Sequence, residues 1–292
     1  MHNGEVFAES RVRVCAEPPV DLFLASTDGP AERTLLVIHG GPDWDHSYLR
    51  EPLDQLAGGR RVLLPDLRGC GRSTRGLRDD RYTWDAVVAD LVALLDYERA
   101  ERVDVLGFST GGSLAQRLTL AAPRRVRRLV IASSSVLPVP PDAFDGWTER
   151  DRRLAEGAAL YARPMPESGP ELTRAAAVTS APANVWRADA LAEYLRRLDA
   201  ISFSADWTGP WRAGLLGPAR PEAAAERLAR LRIPMLLLHG RQDMTFPAHL
   251  AEAAAASIPT ARAVVLDDAG HMAHIDQPVR WLAALTAFLD SS

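Results

Sequence analysis

A chain of 292 residues, 47% of them hydrophobic, is long enough to bury one large core, or a core carrying an insertion. Its formal net charge of -4 gives no reason to expect nucleic acid or an anionic membrane as partner, and a small molecule is the expected ligand. Every basic side chain is an arginine. This excludes the mechanisms that place a lysine amine at the reacting centre: Schiff-base and pyridoxal-phosphate enzymes, P-loop nucleotidases, protein kinases and Ser-x-x-Lys hydrolases.

The N-terminal stretch holds Glu5, Glu9, Arg11 and Arg13 and no apolar leader run, and no later run has the length of a membrane span, so a cytoplasmic protein is expected. Glu5 to Val14 and Val20 to Thr27, separated by Pro18-Pro19, read as an antiparallel hairpin at a sheet edge. Short apolar runs follow at 34–39, 61–65, 103–107 and 128–132, each suited to a central strand, with helical patterns between them. The arginines at 124, 125, 127 and 128 precede the last of these and read as a solvated turn. From Pro138 the texture changes to helical spacing rich in Ala, Arg, Glu and Trp, broken at Pro164, Pro166, Pro170, Pro182, Pro210 and Pro218. The strand pattern returns at Ile233 to His239 and Ala261 to Leu266, and a helix from Pro278 to Leu289 closes the chain. The alternation predicts an α/β architecture: a mostly parallel sheet flanked by helices, built from 1–135 and 231–292, with a helical cap inserted at 136–230. Cys15 and Cys70 form no metal spacing and no disulfide framework, so two unpaired thiols are expected.

The chemistry concentrates in Gly107-Phe-Ser109-Thr-Gly111-Gly112, directly after a buried-strand pattern and directly before a helical one. A turn that tight needs small neighbours, and it lifts the serine hydroxyl above the sheet at a helix N-terminus, where backbone N–H groups favour negative charge. Ser109 is the candidate nucleophile and Thr110 N–H a candidate oxyanion donor. A serine needs a base and an orienting acid, here in the order Ser, Asp, His. Asp243 follows the strand ending at His239, with Asp267 and Asp268 in reserve; His271 follows the strand ending near Leu266, with His274 as its competitor and a packing residue behind it. The second oxyanion donor falls in His39-Gly-Gly-Pro-Asp-Trp-Asp-His46: Gly41 is assigned, Gly40 is the alternative, and His39 braces the loop. Asp43, Asp45 and His46 resemble a metal cluster only superficially, because the other ligands of a closed site are missing, so no metal and no cofactor is expected. Asp66-Leu-Arg-Gly-Cys-Gly-Arg-Ser73 lacks the third glycine of a dinucleotide fingerprint.

These motifs resemble the α/β-hydrolase superfamily, and within it the proline iminopeptidase group and its capped esterase relatives. His39-Gly-Gly-Pro42 and Asp66 to Ser73 resemble the iminopeptidase pattern; Gly240-Arg-Gln-Asp243 and Gly270-His-Met-Ala-His274 are general to the superfamily. The resemblance covers roughly 34–135 and 231–290 and implies the α/β-hydrolase fold and acyl transfer by a serine hydrolase. The iminopeptidases usually carry tryptophan at position 110 and glycine at position 43, where this chain has Thr110 and Asp43. This favours a carboxylic ester or lactone of a bulky small molecule, such as a macrolactone, with an iminopeptidase-like aminopeptidase or amidase as the alternative. A non-catalytic binding protein on the same fold is the remote one. A serine nucleophile in place of aspartate speaks against dehalogenase and epoxide-hydrolase chemistry. An aminopeptidase would need acids facing the serine, from Glu149, Glu156, Asp189, Glu193, Asp43 or Asp45. Candidate substrate contacts are Asp43, Trp44, Phe108, Trp186 and Tyr194. Trp147, Tyr161, Phe203, Trp207 and Trp211, with Trp186 and Tyr194, offer large apolar faces, four or five of these seven rings being expected to pack the cap's own helices.

Overall fold

A computed structural model describes residues 6–160 and 165–291; Glu5, Tyr161 and Pro164 lie outside them. Eight strands form one sheet: β1 (Ala8–Cys15), β2 (Val20–Ser26), β3 (Leu35–Ile38), β4 (Val62–Pro65), β5 (Val103–Phe108), β6 (Val126–Ala132), β7 (Met235–Gly240) and β8 (Ala261–Leu266). Their spatial order is β1-β2-β4-β3-β5-β6-β7-β8. The first hairpin lies at the edge and pairs antiparallel, as does β2 with β4, and every later pairing is parallel.

The central strands read as continuous apolar runs because both faces of the sheet are covered. Leu35 and Val37 of β3 enter one core and Leu36 and Ile38 the other, and Leu236 and Leu238 oppose Met235 and Leu237 of β7 in the same way. The helices are α1 (Arg50–Leu53), α2 (Trp84–Tyr97), α3 (Thr110–Ala121), α4 (Thr148–Leu160), α5 (Pro170–Asn184), α6 (Ala190–Ala200), α7 (Thr208–Arg212), α8 (Ala224–Leu231), α9 (Ala248–Ser257), α10 (Ala273–Asp276) and α11 (Pro278–Leu289). α2, α3, α8 and α9 share one core, through residues such as Leu91, Leu114, Leu228 and Ala251, while α11 covers the other face with Trp281 and Leu285. The start of α2 is capped by the Thr83 hydroxyl, which accepts from Ala86 N at 3.1 Å, and its residues Val87, Leu91, Leu94 and Leu95 form the buried stripe of an amphipathic helix. Among the described residues no helix is long and apolar enough to cross a membrane.

Two expectations change. Helix α8, read as part of the inserted segment, packs on α3 and places Leu228 in the sheet's own core. The arginine run is not a solvated turn apart from the exposed Arg124: Arg127 and Arg128 lie within β6, and Arg125 donates to the carbonyls of Ala100 and Glu101. The Arg127 guanidinium grips Asp104 of β5 at 2.8 and 2.9 Å, and Arg60 adds a contact to the same carboxylate at 3.0 Å. Asp104 is fully buried and Arg60 nearly so. Removing Asp104 leaves Arg127 without a carboxylate partner and Arg60 with Asp290 alone, at 2.6 Å. Asp104→Ala is therefore expected to cost about 3–5 kcal/mol of folding stability, checked as a lower midpoint in urea unfolding.

Candidate active site

The site is built at the C-terminal ends of β3, β5, β7 and β8, where open α/β sheets form their crevices. Ser109 joins β5 to α3 with φ 54° and ψ -123°, a conformation a residue with a Cβ rarely adopts. Neighbouring backbone is packed so closely that glycine is required: a Cβ on Gly107 would lie 2.3 Å from Gly111 O, and one on Gly111 would lie 2.1 Å from Ile38 O. Ser109 N donates to Ala132 O at 2.9 Å, which pins the turn to β6.

Three side chains from distant parts of the chain meet there. His271 Nε2 lies 3.1 Å from Ser109 Oγ, and His271 Nδ1 lies 3.0 Å from Asp243 Oδ2. A carboxylate only accepts, so Nδ1 carries the proton and Nε2 is left to accept from the serine hydroxyl. The other oxygen of Asp243 takes the backbone N–H groups of Thr245 and Phe246 at 2.8 and 2.9 Å. Burial alone would raise the Asp243 carboxyl, but the facing imidazoles of His271 and His239 outweigh it and hold it well below the usual carboxylate range. The reserve acids are elsewhere: Asp267 and Asp268 are exposed, and Asp267 pairs with Arg241 at 2.7 Å. His274 packs behind the site against Phe108, Tyr48 and Trp281, and burial pushes its imidazole well below the ordinary histidine value.

In the loop after β3, His39 receives the Leu67 N–H at Nε2 and donates from Nδ1 to Gly40 O, which braces the loop. Gly40 N–H is occupied by the Tyr48 hydroxyl at 2.8 Å, so the alternative oxyanion donor is already engaged. Gly41 O accepts from Thr110 Oγ1 at 2.5 Å, which ties the two candidate donor residues together. Thr110 is the first residue of α3, and an N–H there has no partner within the helix. Asp45, His46 and Asp66 come together, but their polar atoms are taken. Asp45 accepts from Ser47 N and Ser202 N, His46 Nδ1 meets Asp66 at 2.5 Å, and Arg50 donates to His46 Nε2. A guanidinium beside a would-be ligand nitrogen opposes a cation there.

A cavity of about 670 Å³ opens beside this loop, lined by Pro42, Asp43 and Thr110 on one side and by Trp84, Trp207, Trp211 and Leu172 among others. Of the five proposed substrate contacts, Asp43 alone borders it. Phe108 is buried beneath His271, and Tyr194 is buried with its hydroxyl accepting from Asn184. Trp44 packs edge-on to Tyr48 and Phe203, and Trp186 faces the Arg153 guanidinium. These rings pack between elements and do not line this cavity. Trp84, stacked on Trp207 at 4.8 Å, lies on α2 outside the inserted segment and was not among the candidates. Asp276 is a second omission: its carboxylate accepts from Gly270 N, Trp186 N and Arg187 N at 2.8 to 2.9 Å and joins the His271 loop to the helices above it.

The alpha/beta hydrolase fold family matches residues 33–278. The chain belongs to this family. Among α/β-hydrolase relatives it is 31% identical over 274 residues to a proline iminopeptidase of Levilactobacillus brevis, covering 87% of each chain. It is 32% identical over 272 residues to a 2-hydroxymuconate semialdehyde hydrolase of a Pseudomonas species, covering 90% of this chain and 88% of that one. The solved structure of a proline iminopeptidase-related protein from Thermus thermophilus superposes with a TM-score of 0.69 at 26% identity over 97% of both chains. The relatives' names span different reactions, so family membership establishes a hydrolase and leaves the bond cleaved to the site.

Tyr48→Phe deletes the hydroxyl that satisfies the Gly40 N–H and is expected to cost about 1–3 kcal/mol, since a buried donor is left without a partner. Urea unfolding of the variant checks this.

Proposed function

We propose that this α/β-hydrolase is a serine hydrolase that cleaves the carboxylic ester or lactone of a fairly bulky small molecule, with helices α4 to α7 as its cap. In this reading Ser109 Oγ attacks the carbonyl carbon while its proton passes to His271 Nε2, and Asp243 steadies the imidazolium. The oxyanion is met by the N–H groups of Gly41 and Thr110. Collapse expels the alcohol, which takes the proton from His271; in a lactone that alcohol stays tethered to the acyl group. Water, deprotonated by His271, then releases the acid and restores Ser109.

What carries ester over peptide is the state of the acids. Recognition of an α-ammonium group beneath a cap needs carboxylates free to meet it. Glu149 and Glu156 pair with Arg152, Asp189 with Arg187, and Glu193 with Arg196 and Arg197. Asp45 is held by Ser47 and Ser202. Asp43, the one of these that borders the cavity, accepts from Ser204 Oγ at 2.9 Å, Trp207 N at 3.1 Å and Thr208 Oγ1 at 3.2 Å. Burial pushes its carboxyl above the ordinary value against these hydrogen bonds, which makes it a poorer partner for a cation. The indole and aliphatic walls suit a neutral apolar group. Likeness to proline iminopeptidases at 31% identity favours the second reading, an aminopeptidase.

Ser109→Ala and His271→Ala are each expected to lower kcat by about four to six orders of magnitude, because triad members act as a unit. A fluorophosphonate is expected to label Ser109, and labelling of another serine overturns the assignment. EDTA is expected to leave turnover unchanged, since the proposed nucleophile is a hydroxyl and not metal-bound water. A panel of p-nitrophenyl esters, macrolactones and L-prolyl and L-alanyl amides decides the bond. The ester reading fails if the amides are cleaved with much higher kcat/KM than every ester and lactone and Asp43→Asn abolishes that preference.

A further inference from the structure

The last apolar positions of β7 lead into a residue of another kind, His239, whose ring is 1% exposed. Its Nε2 lies 2.7 Å from Phe246 O and 3.1 Å from Asp243 Oδ2, while its Nδ1 has no hydrogen-bond partner among the described residues. A proton on Nε2 meets two acceptors and a proton on Nδ1 meets none, so the ring is an Nε2–H donor. The carbonyl, nearer and in line, takes the bond; the carboxylate sits beside the positive end of the same N–H group. An unpartnered nitrogen in a core is costly, and a leucine like those at 236–238 would avoid it. Something other than packing therefore accounts for a histidine here.

We propose that His239 is a positioning residue of the Ser109 site, clamping the Asp243–Phe246 turn so that one carboxylate oxygen is held by the turn and the other is aimed at His271. This rests on the serine-hydrolase reading given above. The clamp is closed from two sides. Thr245 N and Phe246 N donate to Asp243 Oδ1, and His239 holds the Phe246 carbonyl and flanks Oδ2, to which His271 Nδ1 also donates. Without the His239 donor the turn is held from one side only, and the carboxylate fixes the imidazole less firmly against Ser109 Oγ. The loss falls on orientation in the transition state, hence on kcat and not on KM.

The test uses four variants. His239→Phe keeps a ring and removes the donor. His239→Gln carries an amide nitrogen to the place of Nε2, whereas His239→Asn reaches only the place of Nδ1. The phenylalanine and asparagine variants are expected to lose about 10- to 100-fold in kcat and in the rate of Ser109 labelling by a fluorophosphonate, with KM little changed, and the glutamine variant to recover most of that. In the Asp243→Asn background the same substitutions are expected to have less than about a twofold effect, since the route through Asp243 is already cut. If His239→Phe fails to fold, the Gln and Asn pair carries the comparison. Equal kcat in the parent, Gln and Asn chains overturns the proposal, and so does a loss that persists undiminished in the Asp243→Asn background. A parent chain in which Ser109 is not labelled overturns the serine-hydrolase reading and the role of His239 with it.

Discussion

Backbone holding Ser109 at φ 54° costs about 1–3 kcal/mol for a residue with a Cβ, and such strain persists only where the surroundings over-determine it. Here they do so through contact. Gly111 sits against the carbonyls of Ile38 and His39, Gly107 against Gly111, and Ser109 N is tied to the end of β6. The turn therefore needs β3, β5 and β6 in register before it can form, and once formed it brings the Gly40-Gly41 loop within reach of the serine: a Cβ on Gly40 would be 2.9 Å from Ser109 Cβ. The sheet is the fixture against which the strain is held.

Around that fixture, buried carboxylates act as joints between the helices above and the sheet below. Asp43 and Asp45 on the β3 loop receive Ser204, Trp207, Thr208 and Ser202, and Asp276 behind His271 receives Trp186 and Arg187. Each meets at least one backbone N–H group, a donor that cannot swing away as a flexible side chain can. A joint made this way fixes the distance between the helices that follow β6 and the β3 loop beside the serine, at the cost of carboxylates that would otherwise be free for a ligand.

The elements closest to the chemistry are legible in the sequence because local rules dictate them. Two glycines flank Ser109 since no larger residue fits, and Asp243 and His271 follow strand patterns, with Asp267, Asp268 and His274 as rivals that only the packing sets apart. The hairpin and the parallel strands are legible for the same reason: edge and buried strands differ in apolar pattern. What long-range packing decides is not legible. Nothing around Trp84 distinguishes an indole stacked on Trp207 from one covering its own helix, and Phe108, adjacent to the serine in sequence, turns under the sheet-side of His271. Asp276 looks like any acid ahead of a proline-started helix; its role exists only because residues 184–187 arrive from elsewhere to meet it.

The absence of lysine shapes the same architecture. A guanidinium presents donors in a planar fork and can hold several carbonyls at once, which a single ammonium does less specifically. Arg153 takes the carbonyls of Pro182, Val185 and Trp186, closing the end of α5 beside the His271 loop, and Arg117 takes those of Pro218 and Ala219 on the cavity wall. Arg197 reaches from α6 to the carbonyls of the buried Tyr48 and of Glu51. These forks stitch irregular loops at their backbone, where apolar packing is weakest. They leave one part of the cavity without such stitches: the rim of Trp211 to Gly217, where Trp211 is 70% exposed and Leu215 59%. The cavity thus has a wall whose backbone is held by Arg117 and by the bonds to Asp43, and an edge where the Trp211 indole lies open to solvent.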